Sequence, residues 1–207
     1  MKLSIRTRVV ILILLVILLI GLVSFASGKY ATTISYQGKI TFSAKLAENV
    51  ELRESQIVRQ ADGIYETTGT TVTNTTQNYK LVPGQDVPKN PHIIIEGKTK
   101  IPAYLYVEIV DTLDTVEIGE EEVKLIDYAV TSDWGPAGSS LQKHGGTVYR
   151  YQGGILTNTN TPTEPIYILQ DDKVTVSQYV KSHDITQEQV NDNLTFYVYL
   201  IETINTN

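Results

Sequence analysis

Few residues of this chain have the types and spacing that catalysis needs. His92, His144 and His183 lie far apart beside segments that resemble strands and turns. No HExxH pattern is present to place two imidazoles on one helix face for zinc. The serines stand in neither a GxSxG nor an SxxK pattern, so the sequence indicates no activated hydroxyl. We therefore expect no catalytic residues and no enzyme activity.

Carboxylates could supply one other kind of chemistry, which is calcium binding. Asp171-Asp172, and Asp111 with Asp114, offer oxygen ligands but lack the regular spacing of a known calcium loop. The glycine-rich GPAGSS at 135–140 does not lie between a strand and a helix, as a phosphate-binding loop would. Surface carboxylates and an ordinary loop are the better interpretation, so we expect no metal ion and no cofactor.

Residues 1–26 have the pattern of an export signal. A basic start precedes an uncharged apolar run at 9–23. Ser24-Phe25-Ala26 has small residues at the two positions that a signal peptidase reads, which predicts cleavage between Ala26 and Ser27. The alternative is an uncleaved membrane anchor, because the run extended through Ala26 approaches the length that spans a bilayer. In both cases the remainder is exported, and only residues 9–26 would contact a membrane.

Charge and cysteine content narrow the class of protein further. Removal of residues 1–26 takes away three of the 17 basic residues and none of the 23 acidic ones, so the formal charge changes from −6 to −9. Such a chain would repel the phosphates of nucleic acid, which we exclude as a partner. The sequence has no cysteine, so a hydrophobic core rather than disulfides must stabilise it. About 180 residues suffice for such a core.

Alternation of apolar and polar residues dominates the chain after residue 38. Segments such as KITFSAKL, HIIIEG, AYLYVEIVDTL and GTVYRYQGGIL predict short strands. LTFYVYLIETI is apolar on both faces and should be a central strand, whereas the polar 53–79 reads as an irregular loop or an edge ribbon. SHDITQEQVNDN predicts a short helix with a capping box. The sequence therefore predicts an all-β, single jelly-roll-like β-sandwich with a short helix near the C-terminus.

Turn residues are concentrated in YKLVPGQDVPKNP, at 79–91. Pro83 presets the first central position of a type II turn, and Gly84 accepts the positive φ of the second. Pro88 and Pro91 cannot donate ladder hydrogen bonds, which confines them to an edge strand or an extended connection. We interpret the tract as scaffold that leads the chain into the core of the sandwich.

The segment KYATTISYQG precedes the predicted sandwich and alternates without a proline. Tyr30, Thr32, Ile34 and Tyr36 share one side of an extended strand. We expect the domain organisation to be a signal or anchor at 1–26, an extended arm at 27–38 and the sandwich at 39–207. The arm is a candidate donor strand that pairs with a neighbouring subunit. The alternatives are a first strand of its own sheet or a flexible stalk above the membrane.

YKLVPGQDVPKNPHIIIEGKTKIPAYLYVEIV resembles the signature of the TasA/camelysin-like family of exported Gram-positive biofilm-matrix proteins. The shared parts are an LVPG turn at 81–84, a link to residue 91, a strand, a polar break at 97–100 and a second strand at 103–109. YRYQGGIL and the closing strand also match. The resemblance implies a jelly-roll fold, an extracellular or cell-surface location, and fibres built by donation of an N-terminal strand. The partners would be copies of the chain itself or related matrix subunits.

Overall fold

The computed structural model describes residues 32–40, 49–73, 76–99, 101–112, 115–118, 121–179 and 193–203. Two short 3₁₀ turns, Ser139–Leu141 and Gln170–Asp172, are the helical segments of these residues. The strands, in chain order, are β1 (Thr32–Ile40), β2 (Asn49–Arg59), β3 (Tyr65–Thr73), β4 (Thr76–Leu81), β5 (Asp86–Pro88), β6 (His92–Glu96), β7 (Ala103–Asp111), β8 (Thr115–Ile118), β9 (Glu121–Lys124), β10 (Ile126–Asp127), β11 (Trp134–Pro136), β12 (Thr147–Tyr151), β13 (Ile166–Tyr167), β14 (Lys173–Val176) and β15 (Asn193–Glu202).

The strands form two layers around one core. Sheet A has six strands in the order β11-β12-β7-β15-β1-β4, sheet B has four in the order β13-β6-β2-β3, and sheet C has three in the order β10-β14-β5. One buried cluster contains Val107 of sheet A, Ile93 of sheet B and Val174 of sheet C. Sheet A therefore packs against sheets B and C, and the predicted all-β sandwich is confirmed. Strands β8 and β9 pair with each other as a separate hairpin.

Strands β7 and β15 form the centre of sheet A. Leu105 lies opposite Leu200, and Val107 lies opposite Val198. Leu105, Val107 and Val198 have no exposed surface, because alternate residues of both strands turn into the core. Phe196 is also buried, and the predicted central position of the last strand is confirmed.

The N-terminal segment differs from the predicted free arm. Thr32–Ile40 forms one continuous strand, β1, which lies within sheet A between β15 and β4. The boundary placed between residues 38 and 39 therefore divides a single strand and needs correction. The alternation of side chains that suggested an arm also fits a strand of the chain's own sheet. In the structure of the single chain, the segment takes this second role.

The polar segment 53–79 contains strands that its composition did not indicate, namely all of β3 and parts of β2 and β4. β2 is a central strand of sheet B, so the interpretation of this part as an irregular loop is wrong. β3 is the edge strand of the same sheet, so the interpretation as an edge ribbon is confirmed for β3. Val50 and Leu52 are buried in the core, while Arg53 binds Glu51 and Glu96 on the outside. The charged side chains on the outer face thus obscured the alternation of apolar and polar residues along β2.

Most of the remaining sequence predictions fall on segments outside the described residues. The segment 121–130 contains two short strands, of which β9 belongs to the separate hairpin and β10 to sheet C. The short helix predicted in SHDITQEQVNDN lies almost entirely outside the described residues, as do Ala26, Ser27 and Tyr30. In the parts of the chain that the structure describes, no helix has the length and apolar character to cross a membrane.

The proline-rich tract moves the chain from sheet to sheet. The Gln85 N–H donates to the Val82 carbonyl at 3.0 Å, and Gly84 has a φ of 75°, so the predicted turn at Pro83-Gly84 is confirmed. This turn connects β4 of sheet A to β5 of sheet C, and residues 89–91 then lead into β6 of sheet B. Pro88 lies on β5, an edge strand, where a missing N–H costs no ladder hydrogen bond.

Candidate functional site

Strand β1 fills a slot between two strands that do not otherwise pair. It runs parallel to β15, from Ser35 opposite Asn193 to Ile40 opposite Val198. It runs antiparallel to β4, from Thr32 opposite Leu81 to Gln37 opposite Thr76. The pairing with β15 is the one parallel ladder among the described strands. Backbone hydrogen bonding on both edges therefore holds β1 in sheet A, and β1 alone of the described strands joins β4 to that sheet.

On one side of this slot lies β15, whose core-facing side chains are buried. Leu194, Phe196 and Val198 of β15 have between 0% and 1% of their surface exposed. The register places Tyr36 opposite Leu194 and Gly38 opposite Phe196. Three of the four predicted donor positions, Thr32, Ile34 and Tyr36, thus lie on β1. Departure of β1 would leave the backbone edge of β15 open for another strand.

A buried ion pair joins the proline-rich tract to sheet B. The Lys89 ammonium donates to Glu54 Oε2 at 2.7 Å, and 2% of the lysine side chain and 12% of the glutamate side chain are exposed. The Lys89 Nζ also lies 5.8 Å from the centroid of the Phe196 ring on β15. Burial lowers the pKa of the Lys89 amine, and the charge and hydrogen bond of Glu54 oppose that shift.

The neighbouring asparagine reinforces the same connection. Asn90 Oδ1 accepts from the Ser55 N–H at 2.8 Å, and its Nδ2 donates to Ser55 Oγ at 2.9 Å. These bonds lie where the pairing of β2 with β3 shifts register, between Ser55 and Ile57. Consecutive residues of the tract thus bind consecutive residues of β2, which holds the crossing from sheet C to sheet B in one register.

The outer face of sheet A holds a second buried carboxylate. Glu108 on β7 has no exposed surface. The N–H groups of His144 and Gly146 donate to Glu108 Oε1 at 2.9 Å, and Tyr199 Oη donates to Oε2 at 2.8 Å. The Lys143 N–H adds a longer bond at 3.2 Å. Four donors therefore surround one carboxylate and tie the loop at 142–146 to the sheet.

The surroundings of Glu108 determine its pKa. Burial acts to raise the pKa of the carboxyl group, but the hydrogen bonds from His144, Tyr199, Gly146 and Lys143 more than offset burial, so the pKa lies below its usual value. Burial and the adjacent carboxylate raise the pKa of Tyr199, which therefore stays protonated as a donor. The charged form of Glu108 thus stabilises the folded state.

Replacement of Glu108 by glutamine should lower the free energy of unfolding at neutral pH by about 1–3 kcal/mol, because buried N–H groups lose their charged acceptor. A carboxyl group with a lowered pKa contributes stability above its unfolded pKa and loses that contribution as pH falls through the folded value. The difference between wild type and Glu108→Gln should therefore shrink below the ordinary pKa of 4.5. Urea unfolding from pH 7 downward measures this difference. A loss that does not change with pH would contradict the assignment.

The histidines and aspartates considered in the sequence occupy separate places. The His92 Nδ1 lies 2.8 Å from the Asn90 carbonyl, and its ring contacts Tyr167 at 5.2 Å. Asp171 and Asp172 border a cavity of about 720 Å³ between β3 and β5. Within the described ranges, no group of three or more His, Cys, Asp or Glu side chains has an arrangement that could hold a metal ion. His183 and Asp114 lie outside those ranges.

Sequence reasoning did not find the Lys89–Glu54 pair or the loop around Glu108. Lys89 carried one signal, since it stands between Pro88 and Asn90-Pro91 in a tract that must leave one sheet for another. Glu108 carried another, because it is the single charge within the apolar AYLYVEIV. Comparison of the chain with family models, with curated proteins and with solved structures finds no match.

Proposed function

We propose that this chain is an exported structural subunit of extracellular fibres or of a biofilm matrix. In an assembly, β1 of one copy would occupy the slot between β15 and β4 of the next copy. The observation that carries the proposal is the place of β1, because it is the first described strand and lies between two strands that pair only through it. The export signal at residues 1–26 and the resemblance to the TasA/camelysin-like family support the same function.

Strand exchange suits this topology. Residues 41–48 connect β1 to β2, so β1 could leave its sheet without threading any other strand through the fold. A neighbour's β1 would form the same backbone ladders with β15 and β4 that the chain's own strand forms. Exchange of identical elements costs little free energy, since the lost and gained contacts match. A repeated exchange from copy to copy would produce a linear fibre.

The alternative function is a monomeric, membrane-anchored cell-surface protein that binds an unknown ligand. Two observations favour it. β1 completes the sheet of its own chain, which needs no neighbour, and the apolar run at 9–26 would serve as an anchor if it were retained. Both functions place the sandwich outside the cell, and they differ in whether β1 leaves its own sheet.

A disulfide that holds β1 in its own sheet should abolish fibre formation. Ser35 lies opposite Asn78 in the β1–β4 ladder, and facing positions in antiparallel strands have the spacing that a disulfide needs. The oxidised Ser35→Cys/Asn78→Cys variant of the exported chain should form no filaments in electron micrographs, and reduction should restore filaments. The chain has no cysteine of its own, so no other disulfide competes.

A second disulfide provides the matched control. Val58 on β2 and Glu66 on β3 also lie opposite each other, both are exposed, and neither touches the slot. The oxidised Val58→Cys/Glu66→Cys variant should form filaments as the wild type does. Filaments of the oxidised Ser35→Cys/Asn78→Cys variant would exclude strand exchange. Absence of filaments from the wild type at all concentrations would favour the anchored monomer.

A further inference from the structure

The outer face of sheet A, which turns away from the core, carries a cluster of aromatic side chains. Tyr106, Val148 and Tyr199 form a second buried cluster, and Tyr104 and Tyr197 pack against it partly exposed. The His144 ring stacks on the Tyr197 ring with centroids 3.7 Å apart and planes 11° apart. The loop at 142–146 therefore covers part of this face and leaves the remainder accessible.

Two cations lie on these aromatic rings. The Lys143 Nζ is 4.6 Å from the centroid of the Tyr199 ring, and the Arg150 Cζ is 5.4 Å from that of Tyr104. Both side chains are exposed, and neither forms an ion pair with a carboxylate in the part of the chain that the structure describes. Glu108, beneath the loop, is fully buried and occupied by four donors. The face thus presents positive charge to solvent on an acidic protein.

The hairpin of β8 and β9 carries the opposite charge. Glu117 lies directly opposite Glu122, and Ile118 lies opposite Glu121. Like charges that face each other across two strands are destabilising, and a two-stranded hairpin has little stability of its own. Glu121 and Glu122 are exposed to solvent. A cationic surface that binds the hairpin would relieve this repulsion.

Arg150 and the β8–β9 hairpin lie toward opposite ends of β7. The hairpin follows Asp111, at one end of the strand, whereas Arg150 lies opposite Tyr106 and contacts Tyr104 near the other end. At about 3.4 Å per residue, Tyr106 and Asp111 are about 17 Å apart along the strand. A contact between the hairpin of one copy and the face of another therefore joins two different surfaces of the chain.

We propose that the β8–β9 hairpin of one copy docks on the outer face of sheet A in a second copy, with Glu121 and Glu122 against Lys143 and Arg150. Charge complementarity selects this occupant, because the face is cationic and the exposed Glu121 and Glu122 of the hairpin are anionic. The contact rests on self-association of the chain, which the proposed function also requires, but not on exchange of β1. It would add a second link between neighbouring subunits.

The test uses the oxidised Ser35→Cys/Asn78→Cys chain, in which β1 cannot exchange. Sedimentation equilibrium should detect self-association that weakens as salt rises. Reversal of the face (Lys143→Glu/Arg150→Glu) or of the hairpin (Glu121→Lys/Glu122→Lys) should each lower the association constant about tenfold or more. The chain that carries all four substitutions should regain association within about threefold of the parent, because the charges complement each other again.

A control variant carries the same charge change elsewhere. Arg59→Glu/Lys98→Glu replaces two exposed cations outside the face and should leave the association constant within about twofold. The proposal fails if the locked chain does not self-associate, if face reversal has no more effect than this control, or if the fourfold variant does not recover. Failure of strand exchange would appear separately, as filaments that the oxidised lock does not prevent.

Discussion

Replacement of Glu54 by glutamine is expected to lower the free energy of unfolding by about 3–5 kcal/mol, the cost of breaking a buried ion pair by removal of one partner. The substitution removes the carboxylate that lies 2.7 Å from the Lys89 ammonium, and that lysine has 2% of its side chain exposed. Glutamine keeps the size of the side chain, so the loss reports on charge rather than on packing. Urea or guanidinium unfolding at neutral pH measures it.

The pH dependence of this loss distinguishes the effect of the ion pair from an effect of side-chain packing. Burial lowers the pKa of the Lys89 amine and Glu54 opposes that shift, so removal of the carboxylate lowers the pKa further. Both proteins bury a neutral amine once pH exceeds their folded pKa values. The loss should therefore be largest below both folded pKa values of the lysine and shrink as pH rises through them, and both lie below the ordinary lysine value of 10.5.

An exposed ion pair elsewhere provides the control for Glu54→Gln. Lys173 binds Asp86 at 2.6 Å, and 41% and 53% of the two side chains are exposed. Lys173→Met should cost less than about 1 kcal/mol, since exposed pairs contribute little. Similar losses for Glu54→Gln and Lys173→Met would contradict the buried pair as a major source of stability.

Truncation of Leu105 to alanine should cost about 2–5 kcal/mol, because it leaves a cavity in the core between the two layers. Leu105 has no exposed surface and lies opposite Leu200 on β15. Val58→Ala, at a side chain that is 46% exposed, should change stability by less than about 0.5 kcal/mol. A Leu105→Ala loss under about 0.5 kcal/mol in denaturant unfolding would place β7 outside the core.

Strands with a clear apolar face could be predicted from the sequence, and strands with charged outer faces could not. In AYLYVEIV the four inner residues at 103, 105, 107 and 109 are all apolar, so the period of two predicts both the strand and its buried side. In β2 only Val50, Leu52 and Ile57 mark the inner side, and a register shift after Ser55 interrupts the alternation. A single sequence does not reveal such a shift.

The candidate site is formed by contacts between residues that lie far apart in the sequence, and such contacts cannot be predicted from local sequence patterns. KYATTISYQG alternates in the same way whether it pairs with its own sheet or with a neighbour's. Its parallel partner, β15, lies more than 150 residues later in the chain. The Lys89–Glu54 pair and the loop bound to Glu108 likewise join residues 35 or more positions apart. Local patterns predicted strands and a turn, whereas the contacts between them come from the tertiary fold.

The most direct test of strand exchange is a disulfide between two different copies at the β1–β4 register. One copy carries only Ser35→Cys and the other only Asn78→Cys, and neither can form an internal disulfide because the chain has no cysteine. Filaments grown under reducing conditions from an equal mixture are then oxidised and analysed by non-reducing electrophoresis and mass spectrometry. We predict dimers joined between positions 35 and 78. Filaments that yield no such dimers on oxidation, or an equal mixture that never forms filaments, would contradict the exchange of β1 between subunits.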